Sequence, residues 1–166
     1  MSRAVLSIGS NLGDRLDHLQ SVLDVLGAAV QRCSAVYRTA PWGGVAQPDF
    51  FNAVLVVADP DRGPWEWLRE GQALEAAGGR ERLTRWGART LDVDVLDCDG
   101  RVSDDPQLML PHPRAHQRAF VLIPWLEVDP AAVVVGRGPV TALLGALGEQ
   151  ERAGVHRCAE LSLVIR

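Results

Sequence analysis

The segment 80–94, RERLTRWGARTLDVD, carries the densest set of chemically active side chains in the chain. If its end is a strand, residues two apart point to the same face with Cα atoms roughly 7 Å apart, so Asp92 and Asp94 project together. Two such carboxylates can bind hard cations, and paired Mg²⁺ ions bridged by phosphate oxygens lie about 3.5–4 Å apart. Taken alone, the D-V-D pattern is more typical of a solvated strand face.

Four arginines precede these aspartates: Arg80, Arg82, Arg85 and Arg89. Alone they could form a solvated loop, but together with the aspartates they match the needs of a triphosphate, whose charge requires metal and rigid donors. The chain has no lysine, so all 17 basic residues are arginine. This excludes a P-loop lysine, the ATP-pairing lysine of protein kinases and Schiff-base chemistry. Arginine must therefore bind any phosphate, which its planar fork of donors does well.

Four further side chains suit a flat heterocycle or a nucleotide. Trp86 could stack on a ring or be half-buried, and Asn52 could bind the edge of a guanine-like ring or be a satisfied core amide. Gln72 and Glu75 lie three apart on one face of a predicted helix, which an exposed polar face would explain equally. His112 and His116 could form a metal pair, but no suitable third zinc ligand lies nearby in the sequence.

Hydrophobic periodicity predicts the elements that must position these residues. The pattern indicates strands over 4–8, 51–58, 90–96 and 161–165, an extended stretch over 30–37 and a loop over 41–48. Helices are predicted over 16–26, ended by Gly27, and over 65–77, 118–127 and 140–147. Strands and helices do not alternate strictly, which favours an α+β fold: a ferredoxin-like sandwich with helices packed on a mainly antiparallel sheet.

Composition limits the class of protein. The length of 166 residues predicts a single domain spanning 1–166, and 47% hydrophobic residues are typical of a globular protein. No apolar run approaches the roughly 20 residues of a membrane span, and no signal peptide is recognised, so we expect a cytoplasmic protein. We also expect a monomer. The net charge of −4 argues against a nucleic-acid partner. Cys33, Cys98 and Cys158 are far apart, which favours free buried thiols.

Seven ordered blocks resemble the hydroxymethyldihydropterin pyrophosphokinase family. They are Gly9-Ser10-Asn11-Leu12, Tyr37-Arg38-Thr39, Gln47-Pro48-Asp49, Asn52-Ala53, the block 85–94, Leu110-Pro111-His112 and Arg118-Ala119-Phe120. The block 85–94, Arg-Trp-Gly-x-Arg-x-Leu-Asp-x-Asp, is specific, and the blocks cover most of residues 4–130. Ala40 stands where the family pattern has a proline, and Phe50 where it has a tyrosine.

The resemblance implies a site for each substrate. The implied pterin site consists of Gly9, Thr39, Ala40, Trp42, Phe50, Asn52, Trp86 and Phe120, with Phe50 and Phe120 sandwiching the ring. The implied nucleotide site consists of Gln72, Glu75, Arg80, Arg82, Arg85, Arg89, Val95, His112 and Arg118. Asp92 and Asp94 would bind two Mg²⁺ ions that accompany ATP, and the implied catalytic residues are Arg80, Arg82, Arg89 and Asp94.

The implied reaction is attack of the pterin hydroxymethyl oxygen on the β-phosphorus of ATP, with AMP leaving and loop closure excluding water. Its partners are ATP and 6-hydroxymethyl-7,8-dihydropterin. Two alternatives remain open: another Mg-dependent nucleotidyl- or phosphotransferase on a similar sheet, and a non-catalytic ligand-binding module of α+β type. The nucleotide product distinguishes the first alternative, and an Asp92→Ala variant with intact function would favour the second.

Overall fold

The computed structural model describes residues 2–41, 46–78 and 90–166. Its strands are β1 (Ser2–Ser10), β2 (Val30–Cys33), β3 (Tyr37–Thr39), β4 (Phe50–Asp59), β5 (Asp92–Cys98), β6 (Ser103–Asp105), β7 (Leu108–Leu110), β8 (Val133–Val134), β9 (Gly138–Pro139) and β10 (His156–Arg157). Its α-helices are α1 (Arg15–Leu26), α2 (Pro64–Ala77), α3 (Ala119–Val128), α4 (Val140–Gly145) and α5 (Glu149–Ala153). No helix among these residues is long and apolar enough to cross a membrane.

The main sheet has the strand order β10-β3-β4-β1-β5. β2 and β3 pair with the same edge of β4, β3 with its N-terminal half and β2 with its C-terminal half. Every neighbouring pair in it is antiparallel. With β2 and β3 counted as one interrupted edge strand, the chain runs β-α-β-β-α-β, which is the ferredoxin-like connection. The predicted fold class is therefore confirmed.

Two hydrophobic cores lie on opposite faces of this sheet, because successive side chains of each strand alternate between them. Leu6 and Ile8 of β1 pack with α1 and α2 in the first core, whereas Val5 packs with α3 in the second. Helix α2 lies close to β5, since a Cβ atom on Gly71 would come 3.0 Å from Val93 Cγ1. The sheet is thus a central layer with helices on both sides.

Most predicted elements appear, but two differ from the expectation. The extended stretch 30–37 is split into β2 and β3, because the Ser34 hydroxyl accepts a hydrogen bond from the Val54 amide (2.9 Å) where the ladder would continue. The strand predicted over 161–165 is wrong. Leu161 packs against the first core, and the Gln20 side chain binds both main-chain groups of Val164 (2.8 and 2.9 Å), so no neighbouring strand is needed.

The three cysteines are free, as expected. Cys98 and Cys158 are buried and Cys33 is half-buried. Burial raises the pKa of each thiol, and it raises the pKa of Cys33 to about 12, with the nearby Glu127 carboxylate adding to the effect.

Candidate active site

The two aspartates of β5 project from the same face of the sheet. Val93 and Val95 are buried in the first core, while Asp92 and Asp94 are half-buried and point to the opposite face, which also bears α3. Their partners on the central strand are Gly9 for Asp92 and Ser7 for Asp94. The expected alternation is therefore present, and it places both carboxylates beside the C-terminal half of β1.

Gly9 lies between a carboxylate and an amide, because its other neighbour across the sheet is Asn52 of β4. A Cβ atom at Gly9 would come 2.7 Å from Asn52 Oδ1, so only glycine leaves room for that amide. The Asn52 side chain is 4% exposed and donates from Nδ2 to Thr39 Oγ1 (2.9 Å). Strands β3, β4, β1 and β5 thus place a hydroxyl, an amide, a bare main chain and a carboxylate side by side.

His112 lies next to β5 on the C-terminal side of Asp94. Its main-chain N–H donates to the Leu96 carbonyl (3.0 Å), which fixes the segment after β7 against β5. Its Nδ1 accepts from the Arg114 amide (3.2 Å), so the neutral ring carries its proton on Nε2. Burial lowers the pKa of His112, and Arg118 lowers it further, whereas the Asp94 carboxylate opposes the shift. His112 is therefore a neutral hydrogen-bond donor near both Asp94 and Arg118.

The N-terminal end of α3 brings a cation and an aromatic ring to the same face. The Arg118 guanidinium carbon lies 5.6 Å from the centre of the Phe120 ring, and both side chains are half-buried. Phe50, at the start of β4, is also half-buried and pairs with Thr39 in the sheet. Ala40 follows β3 and is exposed.

A second set of contacts joins Asn11 and Arg15, which follow β1, to the segment before β4. Asn11 Nδ2 donates to Gln47 Oε1 (2.8 Å) and to the Pro48 carbonyl (3.0 Å). Arg15 Nη1 donates to the Asp49 carbonyl (2.9 Å), and its guanidinium carbon lies 3.8 Å from the Phe51 ring centre. Sequence reasoning assigned these residues no substrate contact, although Asn11 and Gln47 lie in the blocks that carry the family resemblance.

Three predicted nucleotide residues lie apart from this face. Gln72 and Glu75 belong to α2, which packs on the opposite face of the sheet, where Gln72 is exposed and Glu75 half-buried. The Val95 side chain is buried in the first core, so only its main chain can face the aspartates. Residues predicted at Trp42, Arg80, Arg82, Arg85, Trp86 and Arg89 lie outside the described residues.

The donor set fits magnesium better than zinc. Within 2–41, 46–78 and 90–166, no group of three or more His, Cys, Asp or Glu side chains could hold a metal ion, so the His112 and His116 pair gains no third ligand there. Asp92 and Asp94 are oxygen ligands of the kind that suit Mg²⁺, which is commonly bound through one or two carboxylates together with substrate phosphates and water. Asp92 and Asp94 could therefore hold Mg²⁺ together with a phosphate and water.

Comparison with known proteins identifies a matching family model and several relatives of this chain. Residues 5–130 match the family model described as 7,8-dihydro-6-hydroxymethylpterin-pyrophosphokinase (HPPK). A 2-amino-4-hydroxy-6-hydroxymethyldihydropteridine pyrophosphokinase of Mycobacterium tuberculosis is 50% identical over 168 residues, covering 94% of this chain and 89% of that protein. The Mycobacterium leprae protein of the same name is 50% identical, covering 100% and 93%, and that of Methylorubrum extorquens is 38% identical, covering 95% and 99%.

Among solved structures, a Plasmodium falciparum HPPK-DHPS triple mutant superposes with a TM-score of 0.70 at 14% identity, covering 94% of this chain. The wild-type HPPK-DHPS of the same organism gives 0.62 at 13% identity. This chain spans 46% and 44% of those solved chains, less than half of each. At such identities the likeness shows the shared fold alone.

Proposed function

The chain belongs to the 7,8-dihydro-6-hydroxymethylpterin-pyrophosphokinase family, and we propose that the sheet face bearing Gly9, Asn52 and the two aspartates is its active site. The protein is an ATP-dependent diphosphotransferase of folate biosynthesis that moves pyrophosphate to hydroxymethyldihydropterin. The pterin hydroxymethyl oxygen forms a bond to the β-phosphorus of ATP while the bond to the α-phosphate oxygen breaks. AMP is therefore the leaving group and the pterin diphosphate is the product.

For the pterin, we propose a site built around Asn52. The Asn52 amide is buried and is oriented by its hydrogen bond to Thr39. Because an amide can both donate and accept, it can bind acceptors and donors on the edge of the ring. Bare main chain at Gly9 lets the Asn52 amide lie close against β1, where a larger residue would displace it. Phe50 and Phe120 supply the apolar faces, and Ala40, Trp42 and Trp86 complete the proposed site.

Two Mg²⁺ ions are proposed to bind at Asp92 and Asp94 with ATP. The half-buried carboxylates lie in a setting less screened than bulk water, which strengthens their attraction for cations. When bound, the metal would neutralise phosphate charge and polarise the phosphoryl oxygens. The aspartates' own task is to hold that charge beside the pterin site.

Binding of the nucleotide is assigned to a wider set of residues. On the described face, neutral His112 can donate from Nε2 and Arg118 can contribute a permanent charge. Gln72 and Glu75 would reach the nucleotide only around the edge strand β5, and Val95 only through its main chain. Arg80, Arg82, Arg85 and Arg89 complete the proposal, with Arg80, Arg82, Arg89 and Asp94 as the catalytic group.

Catalysis in this account is mainly positioning and charge stabilisation. In-line phosphoryl transfer passes through a loose transition state with little covalent chemistry for the protein to perform. Placing the two substrates on adjacent strands of one rigid sheet removes much of the entropic cost of bringing them together. The observation that carries the proposal is the register that places Gly9 between Asn52 and Asp92.

The finer properties of the protein are also proposals. We propose one domain over 1–166 that acts as a cytoplasmic monomer. We also propose that it has no nucleic-acid partner, because its net charge is −4. Light scattering of the purified chain would test the monomer.

Product analysis tests the proposed function. Incubation with ATP, Mg²⁺ and 6-hydroxymethyl-7,8-dihydropterin should give AMP and pterin diphosphate in equal amounts. An Asn52→Ala variant should raise the KM for the pterin more than the KM for ATP, whereas Asp94→Asn should lower kcat with the fold preserved. ADP or free pyrophosphate as the product would contradict the reaction, and wild-type kinetics in both variants would contradict the site.

A further inference from the structure

One carboxylate ties the C-terminal end of α3 to the segment that leads into β3. Glu127 Oε1 accepts from the Tyr37 hydroxyl at 2.6 Å, and Glu127 Oε2 accepts from the Ala35 main-chain N–H at 2.7 Å. Both lengths are typical of strong hydrogen bonds to an ionised acceptor. The two oxygens thus bind two groups of one short segment, so they fix its direction as well as its position.

The Tyr37 end of this contact is well defined. The Tyr37 side chain is 7% exposed, and burial together with the hydrogen bond to Glu127 raises its pKa to about 12. The phenol therefore keeps its proton and remains a donor throughout the working pH range.

Beyond Tyr37, the same segment continues directly into the proposed pterin site. Tyr37 is the cross-strand partner of Asn52, and Thr39 is the partner of Phe50. The Thr39 hydroxyl accepts the hydrogen bond that orients the Asn52 amide. A displacement of the segment held by Glu127 would therefore be transmitted to Asn52 through only two residues of strand.

Helix α3 carries the effect to the other side of the ring. Phe120 lies seven residues before Glu127, hence on the same helix face, and α3 packs over β4 through Val121, Leu122 and Trp125. A rotation or slide of α3 that moves Glu127 would also move Phe120. The contact at 127 thus links the proposed stacking ring to the proposed hydrogen-bonding amide.

We infer that Glu127 is a positioning residue for pterin recognition, which sets the placement of Phe120 on α3 relative to the Thr39–Asn52 pair. It touches no substrate and acts through Tyr37 and Ala35. The inference rests on the proposed pterin site and adds to it a residue at the far end of the helix.

The test measures the Kd of 6-hydroxymethylpterin and of MgATP separately by calorimetry. Glu127→Ala should raise the pterin Kd about three- to tenfold, since each lost hydrogen bond contributes modestly, and should change the MgATP Kd less than twofold. Glu127→Gln should restore most of the affinity, because its amide oxygen can accept from Ala35 and its amide nitrogen can donate to the Tyr37 oxygen. Tyr37→Phe should weaken binding alone but add little to Glu127→Ala.

Asp129→Asn is the matched control. Asp129 ends the same helix but pairs with Arg3 (3.4 Å) instead of β3, so its loss should leave the pterin Kd unchanged. Asn52→Ala separates the two proposals: if it leaves pterin binding intact, the proposed site is wrong. If Asn52→Ala weakens binding while Glu127→Ala does not, or if Asp129→Asn weakens it equally, the role of Glu127 is overturned.

Discussion

Adding one methyl group at Gly9 should weaken pterin binding without unfolding the protein. The new Cβ atom would lie 2.7 Å from Asn52 Oδ1, whereas ordinary van der Waals contact begins at 3.4 Å. The amide must then move by the difference, 3.4 − 2.7 = 0.7 Å. A shift of that size is enough to break its 2.9 Å hydrogen bond to Thr39 if it occurs along the bond.

The expected magnitude follows from these contacts. Crowding in a packed site costs about 1–3 kcal/mol, which lowers the melting temperature by about 2–4 °C per kcal/mol at this chain length. Misplacement of the amide removes one or two ring contacts at about 0.5–1.5 kcal/mol each. The Kd for the pterin should therefore rise roughly 2- to 150-fold.

Calorimetric titration of Gly9→Ala with the pterin, and separately with MgATP, measures this effect. Gly145→Ala is the matched control, because it makes the same chemical change in α4, where, apart from the adjoining backbone of the helix itself, no atom of the described residues lies within 4 Å of the added Cβ. It should bind both ligands as the wild type does. Pterin affinity in Gly9→Ala within twofold of wild type would refute the proposed use of Gly9 and Asn52.

Three further predictions concern stability and reactivity. Burial raises the pKa of Asp97 above 3.8, so ionisation of this carboxyl destabilises the folded state at pH 7. Asp97→Asn should therefore raise the stability to urea at pH 7, and this gain should shrink as pH falls below the raised pKa and vanish below 3.8. A gain that does not depend on pH would contradict this cause. With a pKa of about 12, Cys33 should react with iodoacetamide at pH 8 about 100- to 1,000-fold more slowly than glutathione, as peptide mapping would show; a rate like that of glutathione would be inconsistent with its burial. Trp67 is fully buried and donates from Nε1 to Ser2 Oγ (3.0 Å), so Trp67→Ala should destabilise the fold by about 3–5 kcal/mol in chemical denaturation, whereas a loss below about 1 kcal/mol would show that the first core is not packed as described.

Local sequence pattern predicted the face of the aspartates because the cause is local. Alternation over β5 places Val93 and Val95 in the core and therefore turns Asp92 and Asp94 outward, whatever the rest of the chain does. The same holds for α1, whose buried leucines and C-terminal Gly27, at φ 52°, mark its face and its end.

Other features depend on partners distant in sequence and could not be predicted from local pattern. The placement of Gly9 between Asn52 and Asp92 comes from the register of three strands. The apolar tail over 161–165 alternates like a strand, yet the Gln20 side chain of α1 binds its main chain instead of another strand. Placing Val95 in the nucleotide site by resemblance did not show that its side chain points into the core.

Asp92 and Asp94 are proposed to hold the metal that accompanies ATP. The most direct measurement is the Kd of ATP with and without Mg²⁺ for Asp92→Asn, Asp94→Asn and Asp97→Asn, three equivalent changes on the same strand. We predict that the first two lose at least tenfold of the Mg²⁺-dependent gain in affinity, while Asp97→Asn keeps it. Retention of the full gain in both Asp92→Asn and Asp94→Asn would contradict the account.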